Sequence, residues 1–220
     1  MIKEIAKALP VTLLLNLIAF PIIYLIAVPS GILAATHRGS WIDVASGSLF
    51  VALWSIPVVW AGVLAIGFLA NDKYLGLFPV SGLHDNDAAN YLMLPSWGDD
   101  GFQKGYLLDT LWHLCLPVAC IVYGGFAILS KQTRAAMLEN FTMDYVRTAN
   151  LKGLSARQVL FGHVLRNALL PTVTVVAIGI GLLVGGLIIT ETVFSYPGLG
   201  RMLLFAIQRR DLPLIQAVAM

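Results

Sequence analysis

Four stretches of this chain contain no Asp, Glu, Lys or Arg: residues 10–35, 44–70, 110–130 and 168–190. Each has the length, about 20 residues, that a helix needs to cross roughly 30 Å of hydrocarbon. Nothing else in the sequence narrows the fold so far. In lipid no water pairs with exposed N–H and C=O groups, so a crossing segment satisfies its own backbone as a helix. Only 12% of residues are charged, against about 25% in soluble domains, and those charges gather in short clusters between the apolar runs. The sequence therefore predicts an all-α, polytopic membrane helix bundle, read as one domain over residues 1–220. A fifth apolar run opens at Leu212 and reaches the end of the sequence at Met220. Nine residues make only about 14 Å of helix, so a truncated chain is expected.

Loop charge sets orientation, because Lys and Arg gather on the cytoplasmic side and acidic residues carry little weight. The 131–167 segment holds six basic residues, Lys131, Arg134, Arg147, Lys152, Arg157 and Arg166, which makes it the cytoplasmic loop. Two basic residues, Lys73 and Lys104, stand against six Asp between Asn71 and Asp109, which places that stretch outside. Counting back puts Met1 outside as well, so one or more spans are expected upstream. The net charge of +2, with no basic and aromatic face, gives no footprint for nucleic acid. Cys115 and Cys120 lie five apart in one apolar run, which is neither a redox nor a zinc spacing. Both read as packing residues.

The cytoplasmic loop carries the most local information. Thr142 is placed to cap a first helix that opens on Asp144 and closes on Lys152, with Gly153 as the left-handed residue that ends it. Ser155 and Gln158 have the spacing of a capping box that opens a second helix. On that helix Gln158, Gly162 and Arg166 form a polar stripe, while Val159, Leu160, Val164 and Leu165 face elsewhere. Such a surface suits a docking platform, and equally a charged connector. Further on, Gly181 and Gly185 have the GxxxG spacing of close helix packing. Ser195 to Gly198 suits a type II turn with Gly at its third position, followed by a short helix from about Leu199 to Arg209.

The stretch RTANLKGLSARQVLFGHVLRNALLP, from Arg147 to Pro171, resembles the inner-membrane permeases of binding-protein-dependent ABC importers of type I. Their general signature is Glu-Ala-Ala, three residues, Gly, nine residues, then Ile-x-Leu-Pro. Aligned on Gly153, only Ala149, Gly153 and Leu165 match it. The form found here looks like the dipeptide and oligopeptide branch. The resemblance continues through ETVFSYPGLGRMLLFAIQRRDLP (from Glu191), LPVTLLL (from Leu9) and RGSWIDV (from Arg38). The segments around Tyr74 to Leu83 and Asp109 to Pro117 look like oligopeptide and microcin C permeases.

The resemblance implies a multi-pass permease of the bacterial cytoplasmic (inner) membrane that carries short peptides. Its implied partners are a second permease subunit in a heterodimer, two cytoplasmic ATP-binding subunits and an extracytoplasmic solute-binding protein. Coupling to the ATPase would fall to Tyr145, Arg147, Thr148, Ala149, Lys152, Gly153, Arg157, His163 and Arg166. No GxxxxGK[ST] loop occurs in the sequence, so ATP chemistry is assigned to the partners, and no catalytic residue, cofactor or metal is read. Candidate translocation-path residues are Asn16, Ser46, Ser48, Ser55, Thr172 and Thr174, each of which also suits an ordinary interhelical hydrogen bond. Within the same family a nickel importer shares these motifs, and the spans offer no evident metal-ligand cluster. An intramembrane hydrolase built on His113, Cys115 and Ser48 is the rival from another class. It needs a nucleophile within hydrogen-bond reach of the histidine.

Overall fold

A computed structural model describes residues 2–98, 101–182 and 187–219. Its first helix, α1 (Ile2–Thr36), shows the solvent this chain is built for. The face turned toward protein is small, with Ala8, Leu15, Ala19, Ala27, Ala34 and Ala35 buried, whereas Leu17 and Leu25 are 68% and 75% exposed. Large apolar groups outside and alanines inside suit a helix that packs closely on its neighbours while lipid wets its other side. Between α1 and the next long helix come α2 (Trp41–Ser55) and α3 (Val58–Ala65), the latter continued by a π-helical turn at Ile66–Ala70. The 44–70 run is therefore two helices. Pro57 imposes the break, because the residue before a proline is driven out of the helical region, and Ile56 is extended at φ −84°, ψ 120°.

A short antiparallel pair, β1 (Ser96–Gly98) and β2 (Gly101–Gln103), sets Trp97 opposite Phe102. These two three-residue strands have no signal in the sequence and leave the described residues an all-α structure in class. Next is α4 (Gly105–Phe141), with Pro117 inside it. Then come α5 (Asp144–Leu151), α6 (Ala156–Val159), a π-helical turn at Leu160–Val164, α7 (Leu165–Ala168) and α8 (Leu170–Leu182). The chain ends with α9 (Ile188–Val193), α10 (Leu199–Arg209) and α11 (Leu212–Ala219). Among the described residues α1 and α4 are long and apolar enough to cross a membrane, and the interrupted α2 and α3 count as a third crossing if taken together. The 168–190 run includes residues 183–186, and the expected GxxxG pair includes Gly185, all outside the described residues.

The chain divides into two units. The first comprises Met1–Ala19, Pro57–Ile121 and Leu183–Met220. A fully buried carboxylate, Glu191, organises it. Glu191 Oε1 accepts from Thr12 Oγ1 at 2.6 Å and from Leu187 N at 3.3 Å, and Oε2 accepts from Arg201 N at 2.9 Å. Thr12 Oγ1 in turn accepts from Leu199 N at 2.8 Å. The first turn of α10 thus receives its capping oxygens from α1 and α9, since its own N-cap, Gly198, has no side chain to offer. A carboxylate at this end also meets the positive pole of the helix.

The expected helix at 199–209 is present, but the expected type II turn before it is not. Gly198 has φ −95°, ψ 179°, and the left-handed residue is Ser195 at φ 57°. Glycine is required at 198 for space, because a Cβ there would overlap the Glu191 carboxyl. Tyr196, buried beside it, donates to the carbonyl of His113 at 2.9 Å.

The second unit comprises Phe20–Ile56 and Val122–Leu182. Here α1 and α4 approach so closely that a Cβ on Gly31 would lie 2.7 Å from Ser130 O and from Thr133 Cβ. Ser30 and Ser130 hydroxyls bond at 2.8 Å across the same contact. The Tyr123 hydroxyl shares its proton between Ile56 O, at 2.9 Å, and Leu53 O, which also accepts from Ile56 N, beside the break before Pro57.

Three substitutions test these contacts, each read from thermal unfolding of the purified protein in detergent. Thr12→Ala leaves the Leu199 N–H without its acceptor in a buried place and should cost about 1–3 kcal/mol, and Gly198→Ala should cost more, since the backbone must move away from Glu191. Gly31→Ala should lower stability by about 1–3 kcal/mol through overpacking. An unfolding temperature equal to wild type for any of the three would refute the corresponding contact.

Candidate functional site

Within the second unit, α5 lies on a small apolar cluster made by Ala35 of α1, Ala136 and Met137 of α4, Val146 and Ala149 of α5, Val159, Val164, and Ala168 of α7. Val146 and Ala149, three apart, mark the inward face of the helix. Arg147, Thr148, Leu151 and Lys152 are exposed on the rest of it. Ala149 was expected on the docking face and is instead part of the support beneath it, because its small side chain lets α5 sit close to the cluster. Tyr145 is half-buried and donates to Asn140 Oδ1 at 2.6 Å, tying α5 to the end of α4.

Both ends of α5 are explained locally. Thr142 does not cap it: its hydroxyl donates back to Glu139 O at 2.7 Å, and the N-cap is Met143, without a side-chain bond. A hydroxyl used to close α4 is no longer free for the next helix. At the other end Gly153 has φ +78°. Its N–H reaches Asn150 O at 3.0 Å, and Leu154 N reaches Ala149 O at 3.4 Å. This is the paired pattern of a Schellman motif, completed by Leu154 packing on the same cluster as Ala149. Nothing lies within 4 Å of where a Gly153 Cβ would be, so the requirement there is conformational alone. Ser155 then opens α6 through a full capping box with Gln158, as its spacing indicates.

Gln158, Gly162 and Arg166 are all exposed, while Val159 and Val164 are buried. The π-helical turn carrying His163 has no evident sequence signal. Arg157 and His163 flank a surface recess of about 650 Å³ formed with Leu154, Ser155, Gln158 and Phe161. Of the nine coupling candidates, Arg147, Thr148, Lys152, Gly153, Arg157, His163 and Arg166 are therefore accessible from outside the unit.

The candidate path residues differ in burial and in the partners they find within their own units. Ser48 and Ser55 are exposed and share a face of α2, while Ser46 donates to Asp43 O at 3.2 Å and Ser55 to Val51 O at 2.7 Å. Thr172 is buried, Thr174 is exposed and donates to Leu170 O at 3.3 Å, and Asn16 is buried in the first unit. Ser48 borders a recess of about 760 Å³ together with Gly47, Val51, Lys131 and an ion pair that sequence reasoning missed. Arg134 donates to both Asp43 oxygens, Nε to Oδ1 at 2.6 Å and Nη2 to Oδ2 at 2.7 Å, and Gly39 N reaches Oδ2 at 3.0 Å. The fork–fork geometry and the Gly39 amide fix both oxygens of the Asp43 carboxyl. Residues 38–44 were singled out as a motif, but the partner lies 91 residues away.

His113 was the centre of the hydrolase reading. It is buried, and its polar neighbours are Asp109 and Asp85, with Nδ1 2.9 Å from Asp109 O. Cys120 is buried as expected of a packing residue, whereas Cys115 is exposed.

A family model described as the binding-protein-dependent transport system inner membrane component matches residues 27–220. The dipeptide transport system permease protein DppB of Escherichia coli (strain K12) is 38% identical over 97% of this chain and 64% of its own length. The di/tripeptide transport system permease protein DppB of Pseudomonas aeruginosa (strain UCBPP-PA14) is 38% identical with the same coverage. A putative peptide transport system permease protein of Brucella suis biovar 1 is 37% identical over 97% of this chain and 62% of its own length. The chain thus spans just under two thirds of the length of these relatives, which are named as transport permeases and not as enzymes. With the helices, the 147–171 motif and the family match in agreement, the chain belongs to the family of binding-protein-dependent transport system inner membrane components.

Proposed function

We propose that this chain is a transmembrane subunit of an ATP-driven importer that moves short peptides across the bacterial cytoplasmic membrane. The observation that carries the coupling part of this reading is α5: a short helix seated on α1, α4 and α7 by Val146 and Ala149, with Arg147, Thr148, Leu151 and Lys152 left exposed. A helix anchored to long apolar helices on one side and free on the other can pass a push from a bound partner into those helices as rigid-body movement. The partner in this reading is a cytoplasmic ATP-binding subunit, one of two. A second permease and an extracytoplasmic binding protein complete the complex. Peptide as cargo is supported by the printed names of the relatives. The six basic residues of 131–167 support a cytoplasmic position for this surface.

Gly153 fixes the angle between the exposed face of α5 and the recess beside Arg157 and His163. A β-branched residue opposes its left-handed backbone by about 1–2 kcal/mol, while asparagine tolerates it. In proteoliposomes holding the complete transporter, Gly153→Val should insert normally yet lose most peptide uptake and peptide-stimulated ATP hydrolysis. Gly153→Asn should retain both. Uptake and stimulation unchanged in Gly153→Val would remove this joint from the coupling mechanism.

A further inference from the structure

Helix α4 presents Asp109 and His113 one turn apart, on the same face of its opening turns. The preceding loop brings Asp85 onto them. Asp109 is fully buried; its Oδ2 accepts from Asp85 N at 2.9 Å, and its Oδ1 has no hydrogen-bond partner. His113 Nδ1 lies 2.9 Å from Asp109 O. A carbonyl only accepts, so Nδ1 carries a proton there, and Nε2 is the ring nitrogen left to bind an ion; Asp109 Oδ1 lies 3.6 Å from Nδ1, beyond a hydrogen bond. Nε2 lies 3.7 Å from Asp85 Oδ1. One donor atom from each of Asp85, Asp109 and His113 falls within 4.8 Å of the others.

Three electron-pair donors thus converge in a largely buried place, and two of them belong to carboxylates. Lys104 supplies positive charge from the rim. Its half-exposed Nζ is 3.2 Å from Asp85 Oδ2 but 3.9 Å from Asp109 Oδ1, beyond a hydrogen bond. A buried carboxylate oxygen without a donor is unfavourable, and the lysine only partly relieves it. A small cation inside the cluster would do so fully. Imidazole with two carboxylates suits a first-row transition metal, whereas calcium and magnesium take oxygen ligands. Zinc bonds of about 2.0–2.2 Å place neighbouring ligands about 3.3–3.6 Å apart. The separation between His113 and Asp85 is already close to that, with Asp85 Oδ2 held by Lys104 and Tyr91 and Oδ1 left toward the histidine.

We propose that Asp85, Asp109 and His113 form a binding site for a first-row divalent metal ion such as Zn²⁺. The ion displaces Lys104 from the rim of the carboxylates and pins the loop at Asp85 to the start of α4. The side of the membrane on which the site opens rests on the topology proposed above; the ligand set does not.

The test uses the complete protein, purified in detergent and stripped of metal by a chelator, with Zn²⁺ measured by equilibrium dialysis and Co²⁺ as the spectroscopic probe. The wild type should take up one ion per chain and give a Co²⁺ ligand-field band. Asp109→Asn and the loop variant Asp85→Asn should each weaken binding more than about tenfold. Because Asp109 is buried, Asp85→Asn is the variant that keeps the result readable if Asp109→Asn unfolds. Lys104→Met, which removes the competing ammonium, should tighten binding by about tenfold. The proposal is overturned by a wild type without saturable Zn²⁺ uptake, by unchanged affinity in Asp85→Asn, or by Lys104→Met binding no tighter than wild type. Any of these would leave the cluster a network of ion pairs. None of the readouts depends on transport.

Discussion

In hydrocarbon a backbone N–H or C=O has only the protein to pair with, and the architecture of this chain follows from that constraint. It selects long helices for the apolar runs and makes every interruption of a helix a place where specific groups must be found for freed carbonyls and amides. It also inverts the usual core. Leucines on the outside of α1 lose nothing in lipid, so close contact is gained with alanine, glycine and hydroxyl residues, as at Gly31, Ser30 and Ser130.

The polar groups that remain inside are correspondingly committed. Glu191 is fully buried yet accepts from a threonine and two backbone amides, so its charge is met by donors and by a helix end rather than by a counter-ion. Asp43 takes the other solution, a two-point pairing with Arg134 that joins α2 to α4. Each device ties one sequence motif to a distant helix. Asp109 is the exception, with one oxygen satisfied and the other not.

Local chemistry made much of the 142–171 segment legible in advance. The Ser155 and Gln158 capping box and the left-handed Gly153 depend only on near neighbours, and both are present. Reading failed where a residue had two local uses or a distant partner. Thr142 closes α4 instead of opening α5. Gly198 is glycine because of Glu191, which spacing cannot reveal, and not because of a turn type. Asp43 and Arg134, or Asp85 and His113, meet only after helices pack, and a single sequence carries no signal of such pairs. Pro57 is a kink candidate by sequence, and the break it makes in the uncharged 44–70 run is sharper than a kink because proline drives Ile56 out of the helical region.

On the proposed function, an ATP-binding subunit docks on the exposed face of α5. Leu151 is 81% exposed on that face, while Ala149, two residues earlier, is buried against the cluster. The direct measurement is cysteine cross-linking in the assembled transporter, with Cys115 and Cys120 replaced by serine and a single cysteine introduced as Leu151→Cys or Ala149→Cys. The account predicts a cross-link between Leu151→Cys and the ATP-binding subunit that changes in yield with nucleotide, and none from Ala149→Cys. Absence of any cross-link from Leu151→Cys in every nucleotide state, with the thiol labelled instead by an impermeant reagent added outside intact cells, would contradict it.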